Sequence, residues 1–123
     1  MEKKRPKNLN LLTIHFPLPA IISILHRLSG VFLFLLIPVL LVGLSMSLTE
    51  AGFDSLHQGF NTFYIKAILW AGLIPFFYHL VAGIRHLLSD VHVGDSLKGG
   101  RRGAQLVLLV TIVLTILAGI WLW

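Results

Sequence analysis

Two shortages limit what this chain of 123 residues can do: it has no cysteine and few charged residues. Without cysteine the chain can form no disulfide, ligate no iron–sulfur cluster through thiolates and perform no thiol chemistry, so any such centre must belong to a partner chain. Charged residues make up 12% of the sequence and hydrophobic residues 56%, with a mean hydropathy of +0.87. Because soluble domains contain about 25% charged residues, the composition predicts a membrane protein.

Charge is completely absent from three long apolar runs, at 28–49, 67–84 and 103–123. A helix needs roughly 17–25 residues to cross a hydrocarbon core about 30 Å thick, and each run meets that length. The runs are continuously apolar rather than alternating, which favours helices over strands. We therefore predict an all-α membrane protein with a single membrane-anchor domain over residues 1–123 and three transmembrane helices. The expected segments are a cytoplasmic leader at 1–19 and helices at about 20–49, 64–89 and 103–123.

The connections between these runs are polar. "EAGFDSLHQGFNTFY" predicts an exterior loop or a short interfacial helix, and the glycines and charges of "DSLKGGRRG" predict a cytoplasmic turn. Membrane-embedded carboxylates, which a small multidrug-type transporter would need, are missing because all acidic residues lie outside the runs. Trp121 and Trp123 at the end of the third run are typical of interfacial anchors.

Basic residues predict the orientation of the chain. They gather before the first run and between the second and third: Lys3, Lys4, Arg5, Lys7, Arg85, Lys98, Arg101 and Arg102. Because basic segments stay on the cytoplasmic side, we expect a cytoplasmic amino terminus and a periplasmic carboxyl terminus. No cleavable secretory signal is apparent, so we expect a multi-pass protein of the bacterial inner membrane. This topology accounts for the net charge of +5 without a nucleic-acid partner.

His79 is an ionisable residue inside the second apolar run, about 9 Å from Arg85 at 1.5 Å per residue. A side chain of this kind at that depth indicates function. The alternative is a neutral histidine that forms a hydrogen bond with a neighbouring helix. Position alone does not decide between the two.

Helical geometry favours the functional alternative. Gly83 and His86 lie within about 40° of His79 on one helix face, so an imidazole is followed by a gap and then by a polar group. A flat macrocycle fits this face, and we predict haem b with His79 as an axial iron ligand and His86 at the propionates. A bis-histidine haem needs a second ligand, and no other histidine is expected at matching depth. The second ligand should therefore come from another chain. A two-haem cytochrome b is excluded as well, because it would require several deep histidines.

The start of the first helix carries a second polar face. Ser23 and Arg27 are neighbours one turn apart, and His26 lies beside them. Since this helix enters the membrane where the second leaves it, we expect His26, Arg27, Arg85 and His86 to share one depth. This cluster could neutralise haem propionates, and Ser23 and Arg27 could bind a quinone carbonyl. The alternative is that the arginines reach lipid phosphates. Asp90 is a candidate for orienting His86 or relaying protons, or else a solvated carboxylate.

Two segments resemble the signatures of a known family. "RPKNLNLLTIHFPLPAIISILHRLSG" and "YHLVAGIRHLLSD" are similar to the two signatures of the cytochrome b membrane-anchor subunit of succinate dehydrogenase, respiratory complex II. The similarity covers nearly the whole chain, including the basic "KGGRRG" before "ILAGIWLW". It implies a heterodimeric haem-binding helical bundle. This chain would form half of that bundle and would be the larger of its two anchor subunits. The second small three-helix anchor would supply the other haem ligand.

The resemblance also implies a division of labour. A flavoprotein subunit with FAD would oxidise succinate, an iron–sulfur subunit would carry electrons, and the anchors would bind haem b and ubiquinone, serving the tricarboxylic acid cycle and the respiratory chain. In this family His79 matches the axial ligand, Ser23 and Arg27 the quinone-site residues, and His26, Arg27 and His86 the propionate side. Asp90 matches an acidic position near the inner surface. The alternatives are a menaquinone-linked fumarate reductase anchor and a purely structural membrane anchor.

Overall fold

The computed structural model describes residues 15–94 and 96–123 and confirms an all-α protein, with no strand in these ranges. Its helices are α1 (Leu18–Ser47), α2 (Glu50–Phe60), α3 (Phe63–Asp90) and α4 (Leu97–Leu122). Three of them, α1, α3 and α4, are long and apolar enough to cross a membrane. Residues 1–14, with the four basic residues of the leader, and Asp95 lie outside the described residues.

Local sequence explains where α1 and α2 begin. Pro17 and Pro19 flank the first turn of α1, where a missing N–H leaves no internal hydrogen bond unmade. The first connection is the predicted short helix, not a loop. The backbone N–H of Gly52 donates to the Thr49 hydroxyl at 3.2 Å, so a threonine cap begins α2.

The expected turn at "DSLKGGRRG" is wrong, because α4 begins at Leu97 rather than near residue 103. The Ser96 hydroxyl accepts a hydrogen bond from the backbone N–H of Gly99 at 2.9 Å and caps the helix there. This cap satisfies the N–H of Gly99, which would otherwise remain unpaired in the first turn. The cap thus stabilises the start of the helix, where Gly99 and Gly100 alone would disfavour it. Lys98, Arg101 and Arg102 consequently project from its first turns.

A tight turn reverses the chain between α3 and α4. The N–H of Val93 donates to Leu88 O at 2.9 Å and that of His92 to Ser89 O at 3.0 Å. This pair of bonds is the Schellman motif, which needs one residue in the left-handed region at the position that His92 occupies. His92 has φ +63° and Gly94 has φ +84°. The chain therefore turns back within the few residues that separate two antiparallel helices.

The three long helices pack as a bundle in which α3 contacts both α1 and α4, and the short helix α2 contacts α1 and α3. The buried hydrophobic core is small: Ile22, Tyr78, Ala82, Ala104 and Val107. Small residues at the contacts allow the backbones to approach, as is usual between membrane helices. The large apolar side chains on the outer faces remain exposed, which suits contact with lipid or with other membrane helices.

Two aromatic side chains join the helices through hydrogen bonds to backbone carbonyls. The Tyr78 hydroxyl on α3 donates to Ile22 O on α1 at 2.8 Å. The Trp70 indole N–H, also on α3, donates to Thr115 O on α4 at 2.8 Å. In an apolar interior an unpaired donor is costly, so these bonds fix the positions of α1 and α4 against α3.

The chain has two tyrosines, which make a matched pair of substitutions. Tyr78 is buried and bonded, whereas Tyr64 is 75% exposed and forms no hydrogen bond with a described residue. We expect Tyr78→Phe to lower the free energy of unfolding by about 0.5–1.5 kcal/mol, because the hydrogen bond between α3 and the Ile22 carbonyl of α1 is lost. Tyr64→Phe should have no effect. Thermal unfolding of the purified complex measures both, and equal midpoints would contradict the assigned role of Tyr78.

Candidate functional site

Three half-buried histidines form a row between α1 and α3. The rings of His26 and His79 are stacked, with centroids 4.2 Å apart and planes inclined by 13°. The ring of His86 follows at 5.0 Å from that of His26, tilted by 48°. The sequence predicted His26 and His86 at the inner edge and His79 deeper, so it missed the direct contact of His26 with His79. We call His26, His79 and His86 the histidine row.

Hydrogen bonds from α1 determine where the proton of His79 lies. Nδ1 of His79 is 3.1 Å from His26 O and 3.0 Å from the Ser29 hydroxyl. A carbonyl can only accept, so a hydrogen bond between these two atoms requires the tautomer with its proton on Nδ1. The Ser29 hydroxyl donates its own proton to His26 O at 2.7 Å, so its oxygen accepts from the same Nδ1–H. In the neutral ring the lone pair is therefore on Nε2, which is the nitrogen available to a metal.

A groove beside His79 gives a ligand access to this ring. It has a volume of about 410 Å³ and lies between α1 and α3. Its lining is Gly30, Leu33, Phe34, Leu36, Ile37, Leu40, Phe76 and His79. His79 is the one residue in this lining whose side chain carries a polar atom. The groove thus combines an apolar wall with one nitrogen, as a haem pocket does.

A larger groove of about 600 Å³ lies between α1, α3 and α4 but offers less chemistry. Among its polar lining residues, Ser29 and Tyr78 already donate their hydroxyl protons to backbone carbonyls. Thr111 Oγ1 is buried and has no hydrogen-bond partner among the described residues. Since the other lining side chains are apolar, this surface suits lipid chains, and the smaller groove at His79 is the candidate site.

Two glycines make room for the histidine row. A Cβ on Gly30 would lie 3.0 Å from Cε1 of His79, and one on Gly83 would lie 3.3 Å from Nε2 of His26. The sequence predicted that Gly83 leaves space for a macrocycle, whereas here the ring of His26 fills that space. Each helix therefore has a glycine where the other helix inserts an imidazole.

Nε2 of His26 is buried and has no hydrogen-bond partner among the described residues. A buried polar atom of this kind is costly unless another molecule completes its hydrogen bond. If Nε2 is protonated, it can donate to a carboxylate or a water. If it is not protonated, it can accept a hydrogen bond from a water. The atom thus supports a polar ligand group next to His79.

Arg85 does not join the histidine row, although the sequence predicted that it shares one depth with His26, Arg27 and His86. Its Nη2 donates to Gly100 O on α4 at 3.2 Å, and a Cβ on Gly103 would lie 3.1 Å from its Nε. Successive residues of a helix point 100° apart, so His86 turns toward α1 while Arg85 turns toward α4. Arg85 thereby joins two helices of the bundle.

The remaining predicted residues lie around the end of this site. Ser23 is half-buried on α1, and Arg27 is exposed. Arg27 forms no hydrogen bond or ion pair with another described residue, so its guanidinium is accessible to a ligand. Asp90 is exposed at the end of α3, and no hydrogen bond joins it to His86 within the described ranges. A proton-relay role for Asp90 stays a prediction.

Sequence reasoning assigned no role to Ser29 or Tyr78. Both occur inside the quoted motifs, and Ser29 is three residues after His26, the spacing at which a serine hydroxyl reaches a backbone carbonyl in its own helix. That spacing was the available signal for Ser29. The contact of Ser29 with His79 depends on which helices pack together, so no pattern within one helix could indicate it.

No group of three or more potential metal-ligating side chains is positioned to hold a metal ion in residues 15–94 and 96–123. This is compatible with haem, because the porphyrin supplies four ligands and a chain need add only one. The chemistry of His79 fits that single position, since its Nδ1 is hydrogen-bonded to α1 and its Nε2 has no such bond.

Three apolar spans, a small core and an imidazole row between two of the spans define a small integral-membrane subunit. The sequence model of the family "Succinate dehydrogenase/Fumarate reductase transmembrane subunit" matches residues 1–118. The chain therefore belongs to this family, which confirms the resemblance found in the two motifs.

Known relatives extend over almost the same length. The succinate dehydrogenase cytochrome b556 subunit of Coxiella burnetii is 42% identical over 100% of both chains. That of Rickettsia felis is 35% identical over 93% of this chain and 90% of the relative, and that of Paracoccus denitrificans is 28% identical over 92% and 88%. This chain is thus similar in extent as well as in sequence to subunits of a respiratory enzyme complex.

The tight contact at Gly30 predicts that one added methyl group has different effects at Gly30 and at Gly43, two positions of α1. We expect Gly30→Ala to destabilise the complex by about 1–3 kcal/mol, because the new Cβ meets the His79 ring and forces α1 and α3 apart. At Gly43 no described atom lies within 4 Å of a Cβ, so Gly43→Ala should be neutral or slightly stabilising.

Thermal unfolding of the complex, followed by far-ultraviolet circular dichroism, tests this difference. A midpoint for Gly30→Ala equal to that for Gly43→Ala would show that α1 and α3 are not closely packed at His79.

Proposed function

We propose that this chain is the haem- and quinone-binding anchor subunit of succinate dehydrogenase, in which His79 is an axial ligand of haem b. The observation that carries the proposal is the hydrogen bonding of Nδ1, which leaves the Nε2 lone pair for iron beside an open apolar groove. Ligating histidines commonly donate their other N–H to a carbonyl in this manner, because the bond fixes the ring and raises its basicity. When bound, haem b supplies a one-electron redox centre.

A second protein ligand for this haem would come from a partner. The rings of His26 and His79 are stacked side by side at 4.2 Å, so they cannot approach one iron from opposite faces of a porphyrin. His15, His57 and His92 lie outside the three long helices. This supports a heterodimer with a second three-helix anchor that contributes the missing ligand and the opposite wall of the groove.

His26, His86 and Arg27 are proposed to hold the haem propionates. The buried Nε2 of His26 lacks a partner in the described chain and suits hydrogen bonding to a carboxylate. The half-buried ring of His86 continues the row, and the exposed guanidinium of Arg27 adds a fixed positive charge. A charge-assisted bond from Arg27 would be stronger than a neutral one, and so would favour the ionised propionate.

Ser23 and Arg27 are proposed to bind ubiquinone. They lie one turn apart on α1, with a hydroxyl and a guanidinium directed from neighbouring positions of one face. Both are hydrogen-bond donors, and donors bind the negatively charged oxygen of a reduced quinone better than the neutral carbonyl. This difference lowers the barrier to electron transfer. Asp90, exposed at the same end of the bundle, is a candidate for supplying protons.

Partners are proposed to supply the remaining chemistry. The chain contains no cysteine for an iron–sulfur cluster, so electrons would arrive from an iron–sulfur subunit that is fed by a flavoprotein. The basic residues on the early turns of α4 suggest that this end faces the cytoplasm of a bacterium, with the carboxyl terminus periplasmic. An anchor for menaquinone-linked fumarate reductase remains the second candidate, since the family name covers both enzymes.

The haem assignment predicts the effect of removing one imidazole. We expect His79→Ala to abolish or strongly change the haem absorption of the purified complex, because iron loses an axial ligand. His57→Ala, in exposed α2, serves as the matched control and should leave the spectrum unchanged. A reduced-minus-oxidised optical spectrum measures both. An unaltered bis-histidine spectrum in His79→Ala would disprove the ligand assignment, and a purely structural anchor would show no haem in the unmodified complex.

The quinone assignment predicts a selective loss of activity. We expect Arg27→Ala to lower ubiquinone reduction by about tenfold or more, while succinate oxidation with an artificial dye continues, because the dye accepts electrons before the quinone site. Arg102→Ala, at an exposed position on α4, is the charge-matched control. Parallel assays with ubiquinone, menaquinone and dye measure the change. If Arg27→Ala reduced quinone and dye activities equally, the residue would serve assembly and not quinone binding.

A further inference from the structure

We propose that Ser29 is a positioning residue for His79, whose hydroxyl oxygen accepts the Nδ1–H bond and thereby helps to set the orientation of the ring and the reduction potential of iron bound at Nε2. The inference rests on the proposed haem ligation and concerns a side chain that does not itself touch the haem. It adds a function to a serine that would otherwise be counted as part of the helix contact.

The geometry supports a role beyond packing. Ser29 is 7% exposed and lies between two groups that determine its hydrogen bonding. Its proton is committed to His26 O at 2.7 Å, so its oxygen is oriented as an acceptor toward Nδ1 at 3.0 Å. A hydroxyl that donates becomes a better acceptor, because the two bonds polarise each other.

Two acceptors on α1 share one N–H of His79. Ser29 Oγ and His26 O lie at 3.0 and 3.1 Å from the same Nδ1. Two acceptors on one helix restrict rotation of the imidazole about its Cβ–Cγ bond more than a single acceptor would. With the Nδ1–H tautomer favoured, the Nε2 lone pair stays available for iron.

A second serine on α1, Ser47, provides a control that distinguishes the contact with His79 from the hydrogen bond that serine commonly makes within a helix. Ser47 donates to Leu44 O at 2.7 Å, the same bond to the third preceding carbonyl that Ser29 makes to His26 O. Such bonds are common for serine in helices and bend them slightly. Ser47 has no contact with an imidazole in the described chain, so it reproduces the local effect of Ser29 without the contact to His79.

The sign of the effect on iron follows from ligand basicity. An acceptor at Nδ1–H pushes electron density toward Nε2, and a more basic ligand stabilises ferric over ferrous iron. Ser29→Ala removes one of the two acceptors, so we expect the reduction potential of the haem to rise. We expect a shift of up to about 59 mV, which corresponds to a tenfold change in the equilibrium constant between ferric and ferrous haem for a one-electron couple.

The test compares Ser29→Ala, Ser29→Thr and Ser47→Ala in the assembled complex purified from membranes. Potentiometric titration of the haem absorption gives the reduction potential, and low-temperature electron paramagnetic resonance of the ferric haem reports the orientation of its axial imidazole. We expect a raised potential and a changed resonance in Ser29→Ala only. Ser29→Thr retains the hydroxyl and should restore values close to those of the unmodified complex.

Each outcome decides the proposal. If Ser29→Ala lost its haem while Ser29→Thr kept it, the hydroxyl would be required for ligation and the proposal would be supported. Unchanged potential and resonance in Ser29→Ala, equal shifts in Ser29→Ala and Ser47→Ala, or haem loss in both Ser29 variants would overturn it. Failure of the haem assignment itself is distinguished by an unmodified complex without haem, or by haem that survives His79→Ala unaltered.

Discussion

The candidate site depends on one N–H group, that of Nδ1 in His79, and on the two oxygens of α1 that accept it. A polar hydrogen inside an apolar bundle is costly without a partner, so α3 can bury His79 only when Ser29 and the His26 carbonyl are alongside. The same bonds that hold α1 against α3 leave the other nitrogen unprotonated in the neutral ring. Helix association and an Nε2 atom of His79 without a proton are thus consequences of one interaction.

This arrangement needs closely packed helices, which explains the glycines. Gly30 faces the ring of His79, and Gly83 faces the ring of His26. A Cβ atom at either position would lie closer to the facing ring than an ordinary van der Waals contact allows. Lipid provides no hydrophobic force between helices, so close packing and hydrogen bonds must supply the association energy. The helices therefore carry glycines, without side chains, where the imidazoles contact the opposite helix. One turn along α1, the Tyr78 hydroxyl joins α3 to α1 by donating to Ile22 O.

The sequence allowed the three spans, the exceptional position of His79 and the polar face of α1 to be predicted, because periodicity and charge act within one segment. It did not reveal that Arg85 packs on α4, since the face that meets a neighbour depends on the neighbour. Nor did it reveal Ser29, whose role needs a distance between two helices. The early start of α4 was missed because a serine cap outweighs two glycines.

The arrangement of polar groups also explains why such a chain would act within an assembly. Under the proposed haem ligation, a complete site would need a second protein ligand and a wall opposite the groove, and the stacking of His26 on His79 excludes His26 as that ligand. The unpartnered Nε2 of His26 and the exposed Arg27 are further groups whose interactions are incomplete in the described chain. Each of these groups is costly in an apolar surrounding unless a ligand or partner completes it, so the free energy of binding haem and a second anchor would contribute directly to the stability of the folded bundle.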